Sequence, residues 1–327
     1  MSPPRSILPA GCLASRSSPP PRLAMPACWT GWAGSAPCAW PVSRGPGSYG
    51  AGLARHITAA GIRVAGVDRS GRQDRRRQGK SGPLDAVSAA RAAQSGRARG
   101  APRGRDGAVE AIRALMVARR SAAGERTRTV NQARALLLTG PGELRARFTR
   151  HAPAALVTGL ASLRPRPGGV AGYATRVALR ELGRRAQFPG GQLERLDELI
   201  VPLVITRAPG LLDVYGLGPR TAALLLIAAG DHPGRLRSEA ARAHLCGVAP
   251  VPASSGKVTR RRLSPGGDRQ ADHALWRIVF TRLGSDPATR AYAERRTAEG
   301  KSKAEIIRCL KRYAAREVYR HLRPAAG

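Results

Sequence analysis

The sequence predicts an α/β unit followed by a mainly helical C-terminal region, and three observations carry that reading. A helix–glycine–strand step occupies residues 53–67. Long apolar stripes at helical spacing begin at residue 107. A Gly-x-Gly turn at residues 216–218 joins two apolar runs that both read as helices.

In the first step, Leu53, Ile57 and Ala60 have helical spacing, and Gly61 closes the helix as a C′ residue. Ile62, Val64 and Val67 then alternate as a short strand, which makes the step a piece of an α/β sheet. A basic loop follows from Arg72 to Lys80, and Asp85 opens an Ala-rich helix reaching Ala93. From residue 107 to about 138, Ile112, Leu115, Met116, Val130, Ala133 and Leu137 form one apolar stripe with arginines between them, a long amphipathic helix. A helix pair is expected at residues 170–181 and 193–205, after a Pro/Gly-rich connection at 163–169. Further helices are expected after Pro219 and over residues 271–283 and 302–322.

Residues 1 to 44 read differently. No Asp or Glu precedes Asp68, three of the five cysteines and three of the four tryptophans lie there, and prolines cluster without helical or strand periodicity. The segment is expected to be aberrant and disordered. A frameshift or misplaced start is expected to account for its composition, with simple divergence of the segment as the alternative. The expected divisions are 1–44, an α/β remnant at 45–106, a helical or coiled-coil linker region at 107–207, and a C-terminal domain at 208–327.

Charge indicates the partner class. The 327 residues carry 56 Lys plus Arg against 21 Asp plus Glu, a net +35. Such an excess repels itself unless a polyanion is present, and duplex DNA or structured RNA supplies one by counterion release. No segment is apolar enough to suggest a spanning helix, so no membrane partner is expected. The five cysteines include no CxxC pair and suggest neither zinc nor a disulfide framework, and a cytoplasmic setting fits.

Two motifs carry chemistry. In Gly216-Leu217-Gly218-Pro219-Arg220-Thr221-Ala222 the glycines permit a tight turn, and the next helix opens with free N–H groups. This looks like a helix-hairpin-helix whose Gly216, Gly218, Arg220 and Thr221 take a DNA backbone phosphate; a plain helical corner is the alternative. The second motif runs from Gly247 through Ser254-Ser255-Gly256-Lys257 to Arg260-Arg261-Arg262, and on to Gly266-Gly267-Asp268-Arg269-Gln270. A serine in a glycine-bounded loop among cations is suited to attack a phosphodiester, with Lys257, Arg260, Arg261 and Arg262 holding the phosphate. In isolation such loops are usually only loops.

Taken together, the run from Gly216 to Leu322 resembles the C-terminal domain of the insertion-sequence 110 family of transposases. The carriers are the two motifs above, Arg296 to Lys303, and Leu310-Lys311-Arg312-Tyr313. Upstream, Gly47-Ser48-Tyr49-Gly50 and Lys80-Ser81-Gly82-Pro83-Leu84-Asp85-Ala86 resemble the family's N-terminal domain. The resemblance implies a RuvC-like, ribonuclease H-type α/β domain, a helical middle, and DNA recombination guided by a structured RNA of the element. It implies a homo-oligomer, magnesium held by four carboxylates, and a serine nucleophile. By position Ser255 is the first choice and Ser254 the second.

The chain departs from that pattern at the metal ligands. Nothing in residues 1 to 44 fits the first acidic strand. Arg44 stands at the second acidic position and Gly82 at the third, which leaves Asp85 as the remaining ligand. One carboxylate is too few for a stable magnesium site. The alternative to an active recombinase is therefore a catalytically inactive, nucleic-acid-binding remnant.

Overall fold

The computed structural model describes residues 42–44, 50–61, 64–67, 82–95, 107–166, 169–231, 238–254, 256, 261–262, 264 and 266–322. Residues 1–41, the Gly47-Ser48-Tyr49 turn, Ile62, the 72–80 loop, Lys80, Ser81, Ser255, Lys257 and Arg260 lie outside them. The chain divides into two compact units, Met1–Arg105 and Asp106–Gly327.

In the first unit, β1 (Val42–Arg44) pairs in parallel with β2 (Ala65–Val67), Val42 opposite Ala65 and Arg44 opposite Val67. The connection between them contains α1 (Gly50–Ala59). Ala54 and Ile57 of α1 bury with Val64 in a small cluster, the expected helix-to-strand packing. Gly61 ends the helix at φ +78°, a conformation that suits a residue without Cβ. Helix α2 (Gly82–Gln94) starts ahead of the expected Asp85, which lies inside its first turn. Strand β1 falls within the segment 1–44 that composition set apart, ahead of the Gly45 at which regular structure was expected to begin.

The second unit is helical. Helix α3 (Ala108–Thr139) occupies the predicted stretch. Its cap comes from elsewhere in the chain: Gly107 offers no side chain, and the Val109 N–H donates to Asp231 Oδ1 at 3.1 Å, placing a carboxylate at the positive helix end. Short α4 (Gly142–Phe148) and α5 (Pro153–Ala161) follow.

The expected pair at 170–205 is instead one helix, α6 (Val170–Arg207), with Pro189 and Pro202 inside it. Each proline removes one backbone donor, yet the stretches on both sides of Pro189 bury apolar faces, and that burial outweighs the local loss. Gly183 of α6 allows a close helix crossing: a Cβ there would lie 2.4 Å from the Ala161 nitrogen.

Helices α7 (Pro219–Ala229), α8 (Glu239–Leu245), α9 (Arg269–Ser285), α10 (Pro287–Ala298) and α11 (Lys303–Leu322) complete the unit, with a two-stranded antiparallel hairpin of β3 (Val251–Pro252) and β4 (Arg261–Arg262). Ser238, Asp268 and Asp286 cap α8, α9 and α10 with side-chain oxygens. One cluster joins Ile112 and Met116 of α3, Ile200 and Val204 of α6, Leu225 of α7 and Leu275 and Ile278 of α9. Residues on both sides of position 207 thus share one core. A second cluster joins the far halves of α3 and α6 to α4 and α5 through Leu137, Phe148, Leu160 and Leu179.

Candidate functional site

The serine loop is the tip of the β3–β4 hairpin. Val251 pairs with Arg262 and Pro252 with Arg261, which leaves residues 253–260 to span the turn. Ser254 is exposed, and Gly256 adopts φ +55°. Arg261 and Arg262 are exposed on the return strand. The side chains of Ser255, Lys257 and Arg260 fall outside the described residues.

The base of the hairpin is closed backbone to backbone. A Cβ on Gly267 would lie 2.2 Å from the Gly247 nitrogen and 2.3 Å from its Cα. Gly247 itself has φ +69°. The Asp268 N–H donates to the Leu245 carbonyl at 2.6 Å, while the Asp268 carboxylate accepts from the Gln270 and Ala271 N–H groups and starts α9. The Gly266-Gly267-Asp268 step is therefore both hairpin closure and helix cap.

Beneath that closure α8 buries Arg242, 1% exposed, and among the described residues its Nε and Nη1 have no hydrogen-bond partner. Burial lowers its pKa to about 10. The Cys246 thiol, also buried, is pushed up to about 11 by desolvation.

The glycine turn at 216–218 sits near the other end of α9. Gly216 has φ +77°, and a Cβ there would come within 3.3 Å of the Ile278 carbonyl oxygen. Arg282 of α9 donates through Nε to the Tyr215 carbonyl at 2.9 Å and pairs with Glu317 at 2.8 Å, holding the turn against the helix. The element before the turn differs from expectation. It is a single 3-10 turn at Pro209–Leu211, because α6 ends at Arg207. After the turn, Gly218 is the helix N-cap without a capping side chain, Pro219 occupies the first turn, Arg220 is exposed and Thr221 half-buried. Both loops are anchored to α9, one at its cap and one near residues 278–282, roughly 15 to 20 Å apart along the axis at 1.5 Å per residue.

Arg220 is not isolated. Its Nη2 lies 3.4 Å from Asp197 Oδ2 on α6, and the same carboxylate takes a two-pronged contact from Arg119, at 2.5 and 2.9 Å. Arg119 is buried, and its hydrogen bond holds the Asp197 carboxyl below the usual range, with the Arg220 charge a lesser contribution. Periodicity gave no signal for this triad, since its members lie on three helices.

Asp85 is in α2 of the first unit, Arg44 ends β1 and Gly82 begins α2. Among the described residues no three His, Cys, Asp or Glu side chains are grouped to hold a metal, and no helix is long and apolar enough to cross a membrane.

Comparison with known proteins agrees with these landmarks. Residues 208–294, containing both loops and α9, match the profile described as "Transposase IS116/IS110/IS902 family". Residues 36–140 match a transposase profile of the DEDD group of IS110 elements. That second match starts ahead of the compositional break near residue 44 and includes β1, so family-like sequence extends into the segment set apart by composition. The chain is 34% identical over 117 residues to an uncharacterized 43.6 kDa protein of insertion element IS110 from Streptomyces coelicolor. It is 28% identical over 117 residues to an uncharacterized 42 kDa protein of insertion element IS900 from Mycobacterium paratuberculosis. Each match covers 36% of this chain and 29% of the relative. The chain belongs to the IS110 family of insertion-sequence transposases.

Proposed function

We propose that this chain binds nucleic acid as an insertion-sequence transposase and keeps its family's serine loop, but is inactive or nearly so in strand transfer. The observation that carries the reading is the hairpin: its base closes glycine on glycine, Ser254 is exposed after β3, and Arg261 and Arg262 are exposed on the return strand. By its place in the motif Ser255 is the first-choice nucleophile and Ser254 the second. In the reaction, a serine Oγ–P bond forms as one P–O bond to a sugar breaks, and the serine proton ends on the departing sugar oxygen. The phosphoserine link conserves the bond for rejoining.

Gly216, Gly218, Arg220 and Thr221 are proposed to hold a backbone phosphate in a helix-hairpin-helix manner, with Asp197 offsetting part of the Arg220 charge. Duplex DNA, a structured guide RNA and a second copy of the chain are the proposed partners. The first unit is proposed to be a RuvC-like remnant. Magnesium, which the family resemblance implies, does not fit the residues present: Arg44 and Gly82 stand at two ligand positions, and Asp85 alone is too little charge and too few oxygens. Loss of one preorganised stabiliser already costs about 10²–10³ in rate, so severe impairment is expected.

The test incubates the purified protein with donor and target DNA, the element's RNA and magnesium, and looks for a covalent protein–DNA adduct. An adduct abolished by Ser255→Ala refutes inactivity and establishes the nucleophile. One abolished only by Ser254→Ala moves the assignment by one residue. No adduct, but its recovery once acidic residues and a family-type N-terminus are restored, supports impairment.

A further inference from the structure

Helix α9 carries an aromatic ladder that the serine loop and glycine turn do not use. His273, Trp276 and Phe280 recur at spacings of three and four residues, which places them on one face. The His273 and Trp276 rings stack with centroids 5.7 Å apart and planes 18° apart, and those of Trp276 and Phe280 at 5.1 Å and 21°. These near-parallel rings lie at the surface: His273 is exposed, Trp276 half-buried and Phe280 57% exposed. Only 4% of the sequence is aromatic, so a stack of three rings outside the core is a costly use of scarce apolar surface.

The charge around the ladder selects what covers it. Arg269 and Arg277, both exposed, lie on the same side of the helix by periodicity. The single carboxylate of α9, Asp272, is paired with Lys311 of α11. A second copy of the chain would bring another +35 against this surface. An unpaired nucleotide supplies both complements at once, a base to extend the stack and a phosphate for the arginines. A duplex hides its base faces and offers only the phosphate. The ladder begins one turn into α9, whose cap closes the serine hairpin.

We propose that the His273–Trp276–Phe280 face stacks unpaired bases of a single-stranded nucleic-acid segment. The proposal rests on the nucleic-acid-binding reading above and adds which strand form this surface holds.

The test measures fluorescence anisotropy of labelled 12-mers on the full chain at fixed salt, using a thymidine strand, an abasic strand with the same phosphates, and a duplex. Wild type is expected to bind the thymidine strand at least about tenfold more tightly than the abasic one, since each stacked base contributes roughly that factor or more. W276A/F280A is expected to remove that preference while leaving duplex affinity within about twofold. F280A, which alters an exposed ring only, is expected to remove part of it and guards against misfolding of the double variant. Equal wild-type affinity for the thymidine and abasic strands overturns the proposal, as does a preference that survives the double substitution. If the double variant changes sedimentation from dimer to monomer and leaves strand affinity untouched, a second copy covers the ladder and the proposal fails. Wild type that binds none of the three probes refutes the nucleic-acid reading itself, a result distinct from loss of the base preference alone.

Discussion

The same substitution, glycine to alanine, is expected to have opposite signs at two helical sites. At Gly183 the new methyl carbon would lie 2.4 Å from the Ala161 nitrogen, 2.8 Å from the Leu160 carbonyl carbon and 2.9 Å from its Cβ. Two of these are backbone atoms and cannot step aside as a side-chain tip does. Alanine gains about 0.5–1 kcal/mol over glycine inside a helix. Overpacking a closed helix crossing costs about 1–3 kcal/mol or more. The net for Gly183→Ala is therefore a loss of about 1–2 kcal/mol. At Gly124 of α3 a Cβ meets nothing within 4 Å, so Gly124→Ala keeps the full helical gain of about 0.5–1 kcal/mol. Urea titration followed by circular dichroism reads both as shifts in midpoint at unchanged slope. In thermal melts each kcal/mol corresponds to about 2–4 °C for a unit of this size. A Gly183→Ala protein as stable as wild type would refute the α5–α6 crossing. A Gly124→Ala protein less stable than wild type would refute the exposure of that helix face.

Asp197→Asn is expected to cost about 1–3 kcal/mol, because the buried Arg119 guanidinium loses its carboxylate. Since Arg119 holds the Asp197 carboxyl below its ordinary value, the contribution is present above about pH 4, where the unfolded group ionises, and fades as pH falls through the lower folded value. Acid unfolding of wild type against the variant checks the sign: their stabilities should converge at the acid end. Replacing Arg260, Arg261 and Arg262 together with alanine is expected to reduce the slope of log affinity against log salt by up to about 3, and an unchanged slope shows that the cluster does not touch phosphate. Native protein at pH 8 should leave Cys246 unmodified by a thiol reagent, its pKa being near 11 and its side chain buried; mass spectrometry of the labelled peptide decides it. Arg242→Met is expected to keep or raise stability, since two guanidinium nitrogens are buried without a described partner; a loss above about 2 kcal/mol would show a bond to that side chain that matters.

What was legible in the sequence was what depends on near neighbours. The stripe from Ile112 to Leu137, the Gly61 stop and the Gly216–Gly218 turn are local signals, and the structure has each of them. The expected helices at 170–181 and 193–205 form the single α6: Pro189-Gly190-Gly191 is a breaker locally, while burial on both flanks is decided by distant helices. Helices α4, α5, α8 and α10 lacked enough turns, or enough apolar residues, for periodicity to show. At the candidate site, motif spacing marked the glycine-bounded loop, and the structure pairs its flanks as β3 and β4 with Arg261 and Arg262 on the return strand. The Gly247–Gly267 closure, the Asp231 cap on α3 and the Asp197 pairing with Arg119 and Arg220 join residues far apart in the chain, where no spacing rule operates. The aromatic ladder was legible in principle, as three ring-bearing residues at helical intervals in a sequence poor in them.

Helices α3 and α6 each run through both hydrophobic clusters of the second unit, α3 from Ile112 to Leu137 and α6 from Leu179 to Val204. Mechanically they are two struts running in opposite directions, shared by both clusters of the second unit. The anchored stretch of α6 spans roughly 38 Å at 1.5 Å per residue. A load applied at the Arg220 end reaches the α4–α5 end along these struts without crossing a loop. Between the clusters α6 carries Pro189-Gly190-Gly191, where an N–H rung is absent from the helix and two glycines follow. Bending should therefore concentrate there, while the two ends resist separation because each would have to strip both struts at once.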